Sequence, residues 1–300
     1  MYVVIGATGN TGSVVAEKLL SQGQKVRVLG RDAHRLERFT KKGAEAVVAD
    51  VTNGDALAKA LSGATALYAM IPPNMSAPDV RAFQSQVSGA ISQAVQKSGV
   101  KHVVALSSFG ADKPGKTGPV VGLHDVETKL GAISGLNALC LRAGYFMENI
   151  LPQVGVIQSF GMLAGPLRAD LRVPMIASRD IGAAAAEALR KLDFQGRQTR
   201  ELLGPADVAY TEVAKIIGAA IGRPDLSYLQ MPAEQLKPAL MQMGMSANLS
   251  DLLLEMSESL NSGYMKPLEP RSPANTTPTK LETFAAEVFV PAYRGKAAGG

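Results

Sequence analysis

Tryptophan is absent from the 300 residues, and the chain carries one cysteine, Cys140, and three histidines. A single thiol cannot close an internal disulfide, and scattered histidines without a cysteine pair give no basis for a structural metal site. Cys140 sits in the apolar run Leu139-Cys140-Leu141, the setting of a small core residue. Aromatic residues make up only 5% and no dense Lys/Arg run interleaves with them, so the mild formal charge of +5 leaves no footprint for nucleic acid. Glycine or charge interrupts every apolar stretch before it reaches the length of a membrane span. The first residues run straight into a strand-like segment, so the expectation is a cytoplasmic protein without a signal peptide, neither membrane-bound nor a direct nucleic-acid binder. What is plentiful is apolar residue, 46%, enough at this length for a substantial core.

The organising stretch is the first one, Tyr2-Val3-Val4-Ile5-Gly6-Ala7-Thr8-Gly9-Asn10-Thr11-Gly12. A short apolar β-type run feeds into three glycines spaced Gly-x-x-Gly-x-x-Gly, and a helical pattern follows with Val14, Val15, Leu19 and Leu20 on one side. Glycine permits backbone angles closed to other residues and lets the chain approach phosphates closely. A helix start then offers unpaired N–H groups and a positive dipole end to an anion. Gly6, Thr8, Gly9, Asn10, Thr11 and Gly12 are therefore candidate contacts for a dinucleotide pyrophosphate. Lys25 to Leu29 reads as a second strand, and Gly30-Arg31-Asp32 ends it about 25 residues past the first glycine, where the ribose of the adenosine half is read. An NAD binder usually has a carboxylate there. Gly30 and Arg31 instead favour a 2′-phosphate, hence NADP(H) over NAD(H), with NAD(H) still possible. The plainer alternative is Arg31 as a solvated loop cation with Asp32 capping the next helix.

Strand and helix patterns then alternate. A polar helix over about 33–42 precedes a strand at 46–49 that ends in Asp50-Val51-Thr52. Asp50 could accept from an adenine amino group while Val51 covers the ring; a turn role for Asp50 fits equally well. A helix over 55–61, a strand over 65–71 ending at Ile71-Pro72-Pro73, and a helix over 79–97 follow. A strand at 103–106 ends in Ser107-Ser108. The Gly-, Pro- and Lys-rich run 113–122 reads as a mobile loop. A helix over 124–133 and a strand over 137–141, ending in Arg142-Ala143-Gly144-Tyr145-Phe146, complete the series. Such alternation means a doubly wound α/β parallel sheet, whose ligand lies across the strands' carboxyl ends. Gly6–Gly12, Arg31, Asp50, Val51, Ile71, Ser107, Tyr145 and Phe146 all fall on that edge.

Beyond residue 150 the alternation weakens. An irregular hairpin is expected at 162–171, a strand at 173–177, an alanine-rich helix at 182–192 and a last strand at 200–203. Later helices are expected at 211–221, 233–243, 248–262 and 281–289, a short strand at 228–231, and a frayed tail at 296–300. The organisation expected is a dinucleotide domain of residues 1–155 plus about 175–204, and a smaller mixed lid-like domain of about 156–174 plus 205–300. Met231, Met241, Met243, Met245 and Met256 either fill its core or line an adaptable apolar pocket.

These features together resemble the NmrA-like, atypical short-chain dehydrogenase/reductase group. The likeness is carried by Gly6-Ala7-Thr8-Gly9-Asn10-Thr11-Gly12, Arg31-Asp32, Asp50, Gly99-Val100-Lys101-His102-Val103, Arg142-x-Gly144-x-Phe146-Met147-Glu148-Asn149, Arg179-Asp180-Ile181 and 279–284. The resemblance implies a Rossmann domain binding NAD(P) and a smaller substrate domain. It also implies one of two roles: reduction of a quinone, azo dye or other unsaturated small molecule, or sensing of the NADP(H) ratio through a protein partner.

Mainstream short-chain dehydrogenases use Tyr-x-x-x-Lys, and none of the seven tyrosines here has lysine four residues on. Some NmrA-like reductases place a lysine at the start of the helix after strand five; the matching positions here are Leu123 and His124. Candidate replacements are Ser107, Ser108, His124 and Glu127, the last two sharing a helix face and His124 able to protonate a substrate near neutral pH. The plain alternative is that both are surface residues. A partner of the chain would then be its small-molecule substrate, with a homodimer or a regulatory protein as further possibilities.

Overall fold

The computed structural model describes residues 1–295. In chain order its elements begin β1 (Tyr2–Ile5), α1 (Asn10–Ser21), β2 (Val26–Gly30), α2 (Ala33–Thr40), β3 (Glu45–Val48), α3 (Gly54–Ala60), β4 (Ala66–Ala69), α4 (Val80–Ser98), β5 (His102–Ser108), α5 (Val121–Gly131) and β6 (Asn137–Ala143). They continue with β7 (Tyr145–Phe146), α6 (Gln153–Phe160), β8 (Leu163–Gly165), β9 (Val173–Ile176), α7 (Ser178–Lys191), β10 (Arg197–Leu202), β11 (Ala206–Val208), α8 (Tyr210–Ile221), β12 (Tyr228–Gln230), α9 (Ala233–Gln242) and α10 (Ala247–Asn261). A closing helix, Leu281–Phe284, passes through a π-helical stretch, Ala285–Phe289, into Val290–Tyr293.

Seven strands form one parallel sheet in the order β10-β6-β5-β4-β1-β2-β3. β1 and β4 are buried at every residue, as strands covered on both faces must be. Alternate side chains feed two cores. Val4, Tyr68, Val104 and Leu141 pack with α1, α2 and α7, while Val3, Ile5, Leu67, Ala105 and Cys140 pack with α3, α4 and α5. Cys140 is fully buried there, and burial pushes its thiol up to about 12. This is the doubly wound α/β sheet expected, with β1 flanked by β2 on one side and β4 on the other. That flanking marks the point where strand order reverses and a crevice opens at the carboxyl edge.

A third core gathers Met147, Ile150, Ile157, Met175, Tyr210, Val213, Ile217, Phe284 and Phe289 around the small mixed sheet β11-β9-β7. Phe109 and Val120, from the β5–α5 connection, belong to it, which seats this unit over the carboxyl edge of the large sheet. α10 reaches the same edge. Its Asn248 Oδ1 accepts from the Val80 N–H at the start of α4 (2.9 Å), and Glu255 Oε1 accepts from Gly118 N–H (3.1 Å).

Several local expectations are corrected. The run 113–122 contains a 3-10 turn, Gly118–Val120, and the first residues of α5, buried beneath α10 where a Cβ at Gly118 would sit 2.0 Å from the Leu252 carbonyl oxygen. The segment 162–171 is no hairpin, because β8 pairs in parallel with β12, more than sixty residues on. α6 has no counterpart in the sequence reading. α7 begins at Ser178, whose N–H is satisfied by Glu148 and not by a local residue. Met241 and Met243 are 46% and 53% exposed, so neither fills a core, whereas Met245 and Met256 pack against buried clusters. The tail expected at 296–300 lies outside the described residues.

Candidate functional site

The turn after β1 is built by glycine. Gly6 holds φ at +72°, closed to most side chains, and its carbonyl accepts from Gly9 N–H at 2.9 Å. A Cβ on Gly12 would lie 2.2 Å from Gly6 O, so that position admits glycine alone if α1 is to start this close to the strand. A Cβ on Gly9 would meet nothing nearer than Gly6 O at 3.3 Å, and Gly9 and Asn10 are exposed. No side chain caps α1, so its first N–H groups face open space at the positive end of the helix dipole. That is an anion cradle, at the β1/β4 reversal point.

Around it the expected residues divide. Thr8 is half-buried in the turn. Thr11 turns inward: it is 3% exposed, and its hydroxyl accepts from the buried Tyr68 hydroxyl at 2.8 Å, which leaves only its N–H for a ligand. Arg31 is exposed beyond β2, and Asp32 caps α2 by accepting from His34 N–H. Both halves of the plainer reading are thus structurally present, and the charge of Arg31 is also felt at Asp50. It is among the groups holding the Asp50 carboxyl below the ordinary range, after the backbone N–H and hydroxyl of Thr52. Asp50 Oδ1 accepts both of those at 2.9 and 2.8 Å, a turn role, with Val51 largely buried behind it. Ile71 is half-buried at the end of β4. One residue escaped the sequence reading. Arg35, in the first turn of α2 and four residues past Arg31, donates to the Thr8 carbonyl at 3.1 Å and so stands beside the glycine turn. Its spacing from Arg31 was the available signal.

The β5–β6 side is different. Ser107 is 3% exposed and donates to Glu127 Oε1 at 2.6 Å; Arg142 donates to Glu127 Oε1 and Oε2 at 2.9 and 2.7 Å. Glu127, expected beside His124 as a surface or catalytic carboxylate, is 1% exposed and sealed in this bidentate pair on the α5 face of the sheet. Ser107 is correspondingly turned from the edge. Ser108 is half-buried on the other face, its hydroxyl donating to the Phe109 carbonyl at 2.9 Å. His124 Nδ1 lies 2.9 Å from the Ala111 carbonyl oxygen. A carbonyl only accepts, so Nδ1 carries the hydrogen of this bond. Tyr145 and Phe146 are consecutive but divide between cores, Tyr145 packing toward the second unit and Phe146 toward the α1–α7 side.

Two of the acidic residues that carried the family resemblance tie distant segments together. Glu148 accepts from the N–H and hydroxyl of Ser178, capping α7. Asp180 accepts from the N–H and hydroxyl of Thr279 at 2.9 and 2.7 Å. Among the described residues no cluster of three or more His, Cys, Asp or Glu is placed to hold a metal ion, and no helix is long and apolar enough to cross a membrane.

A sequence profile described as the NmrA-like family matches residues 2–286. The chain is 31% identical over 258 residues to the NAD(P)H azoreductase of Xenophilus azovorans, spanning 85% of this chain and 86% of that one. Among solved structures, the NADPH-dependent quinone oxidoreductase QOR2 of Escherichia coli complexed with NADPH superposes with a TM-score of 0.81 at 22% identity, over 96% of this chain and 100% of that one. The Citrobacter sp. triphenylmethane reductase complexed with NADP(H) gives 0.76 at 17% identity over 96% and 100%. At those identities the two structures speak for the fold.

Proposed function

The chain belongs to the NmrA-like family, and from that premise we propose that it is an NADPH-dependent reductase of small planar acceptors of the quinone or azo type. The observation that carries the reading is the uncapped start of α1 beneath a glycine turn into which a Cβ at Gly12 would not fit. Gly6, Gly9 and Asn10 and the N–H groups of Thr11 and Gly12 would hold the pyrophosphate. Arg31 and Arg35, two guanidiniums at the end of β2 and the start of α2, favour a 2′-phosphate and hence NADP(H), with NAD(H) as the weaker ligand. Asp50, Val51 and Ile71 would flank the adenosine and central part of the cofactor, and Tyr145 and Phe146 the nicotinamide side. When bound, the dinucleotide supplies the hydride.

The chain's own residues then bind the acceptor, exclude water and manage one proton. The division proposed is residues 1–155 with about 175–204 for the cofactor and the remainder for the substrate, with β9 contributing to the second unit's sheet. The azoreductase activity of the Xenophilus relative favours this over a sensor role.

The test has two arms. Steady oxidation of NADPH across a panel of quinones and azo compounds is expected; tight cofactor binding with no acceptor accelerating oxidation would leave the sensor. Arg31→Asp should weaken NADPH binding at least about tenfold, roughly 1.4 kcal/mol, while sparing NADH. Equal NADPH affinity in the variant would remove Arg31 from the phosphate site.

A further inference from the structure

Three tyrosines far apart in the chain meet beside the carboxyl end of β6. Tyr145 opens β7, Tyr210 opens α8 and Tyr228 opens β12. The Tyr210 hydroxyl donates to the Tyr145 hydroxyl at 3.3 Å, and the Tyr228 hydroxyl donates to the Leu167 carbonyl at 2.8 Å. The Tyr145 and Tyr210 rings meet edge-on with centroids 6.4 Å apart; Tyr210 and Tyr228 lie 4.7 Å apart, tilted by 33°. The backbone fixes this arrangement. A Cβ on Gly144 would sit 2.6 Å from the Pro174 carbonyl oxygen, so β7 lies hard against β9, in register Tyr145 with Met175. Tyr210 is held at the start of α8, where Glu212 turns back to accept from the Ala209 N–H at 3.0 Å. Tyr210 is buried, whereas the Tyr145 side chain is only half so, which leaves part of Tyr145 accessible.

Burial is the largest influence on both phenols and keeps them protonated. On Tyr145 it is opposed by Tyr210 and by the Asn149 side chain, both of which favour a negative oxygen. Oriented donors around an atom that becomes anionic during a reaction are how protein sites stabilise transferred charge.

We propose that Tyr145 is the proton donor of the reduction, with Tyr210 as the residue that positions it and supports the oxygen it leaves behind. The inference rests on the reductase reading. A quinone or azo acceptor that takes two electrons and one hydrogen, as hydride from a reduced nicotinamide dinucleotide, needs one more proton on its oxygen or nitrogen. The Tyr145 O–H bond breaks as that substrate O–H or N–H bond forms, and the phenolate regains its proton from water. The sum is one acceptor, one reduced dinucleotide and one solvent proton giving a hydroquinone or hydrazine and the oxidised dinucleotide. The neighbouring candidates are committed elsewhere: His124 Nδ1 is tied to the Ala111 carbonyl, Ser108 donates to Phe109 O, and Glu127 is sealed against Arg142.

The experiment uses the full chain with Tyr145→Phe and Tyr210→Phe, which keep the rings and remove only hydroxyls. Tyr145→Phe should lower kcat about a hundredfold with KM little changed, and erase the solvent isotope effect. Tyr210→Phe should lower kcat less and move the high-pH limb of the rate profile upward, because the phenolate loses a donor. In cofactor-free protein, the phenolate absorbance assigned to Tyr145 by difference from Tyr145→Phe should appear at higher pH in Tyr210→Phe. Should Tyr145→Phe fold poorly, a fluorinated tyrosine at 145 keeps the volume and should move the high-pH limb downward. Full kcat in Tyr145→Phe, or a limb indifferent to fluorination, overturns the proposal and leaves the reductase reading standing. A wild-type chain in which no acceptor of the panel accelerates NADPH oxidation removes both. An absorbance titration unmoved by Tyr210→Phe removes Tyr210 from the role.

Discussion

Replacing Glu127 by alanine tests whether this carboxylate belongs to the chemistry or to the frame. In the native chain it is 1% exposed, takes two hydrogen bonds from Arg142 and one from Ser107, and has Arg197 at 3.8 Å. Alanine leaves the guanidinium of Arg142, itself 7% exposed, without its carboxylate partner inside the sheet face. Removing one partner of a buried pair costs about 3–5 kcal/mol, most of it the stranded charge and not the worth of the pair. Unfolding entropy of about 2.1 cal/mol/K per residue turns that into a Tm lower by about 5–8 °C for a chain this long. Calorimetry of Glu127→Ala measures it, and the paired change Glu127→Leu with Arg142→Met should recover most of the loss, since filled apolar volume replaces two charges. NADPH affinity, read below the melting range, should be unchanged in both. If Glu127→Ala melts within about 1 °C of wild type but reduction collapses, the structural assignment is wrong and the carboxylate acts in catalysis.

Two further outcomes follow from the same geometry. Gly12→Ala drives a Cβ to 2.2 Å from backbone at Gly6 and should weaken NADPH binding strongly and lower Tm, while Gly9→Ala, whose Cβ presses Gly6 O only at 3.3 Å, should lower Tm much less; matched melting curves for the two would contradict the steric account. Burial holds the Glu148 carboxyl above its ordinary value of 4.5. The unfolded chain therefore releases this proton first, and wild type loses stability relative to Glu148→Gln as pH rises from about 4.5 through the folded-state titration. Thermal melts of the pair across that range should diverge upward in pH; divergence on acidification instead would reverse the assigned sign.

How much was legible in advance depends on the range over which each feature is determined. The glycine turn, β2 with Arg31 at its end and the long helix after Asp79 were readable because each needs only a residue type and its neighbours within a turn. Glu127 was misread for the converse reason. Its helix face says only that it neighbours His124, whereas its partner Arg142 arrives from β6, and the pairing of β5 with β6 that brings Ser107 opposite Arg142 is written in no local pattern. β8 failed as a strand of a hairpin because its partner β12 lies beyond β9, α7, β10, β11 and α8. Thr11 is instructive in both directions: its backbone role followed from the turn, but its side chain's burial against Tyr68 required knowing that β4 sits beside β1.

The sequence by itself determined the alternation of strands and helices, the anion cradle after β1 and the absence of a carboxylate at the end of β2, because steric limits on glycine and the polarity of one helix end act within a few bonds. The tertiary structure alone decided which charges are hidden, which carboxylates cap or clamp remote segments, and that hydroxyls from β7, α8 and β12 converge at one edge. Those outcomes depend on how whole faces exclude water from one another, and burial of that kind is a property of the assembled layers, not of any stretch of chain.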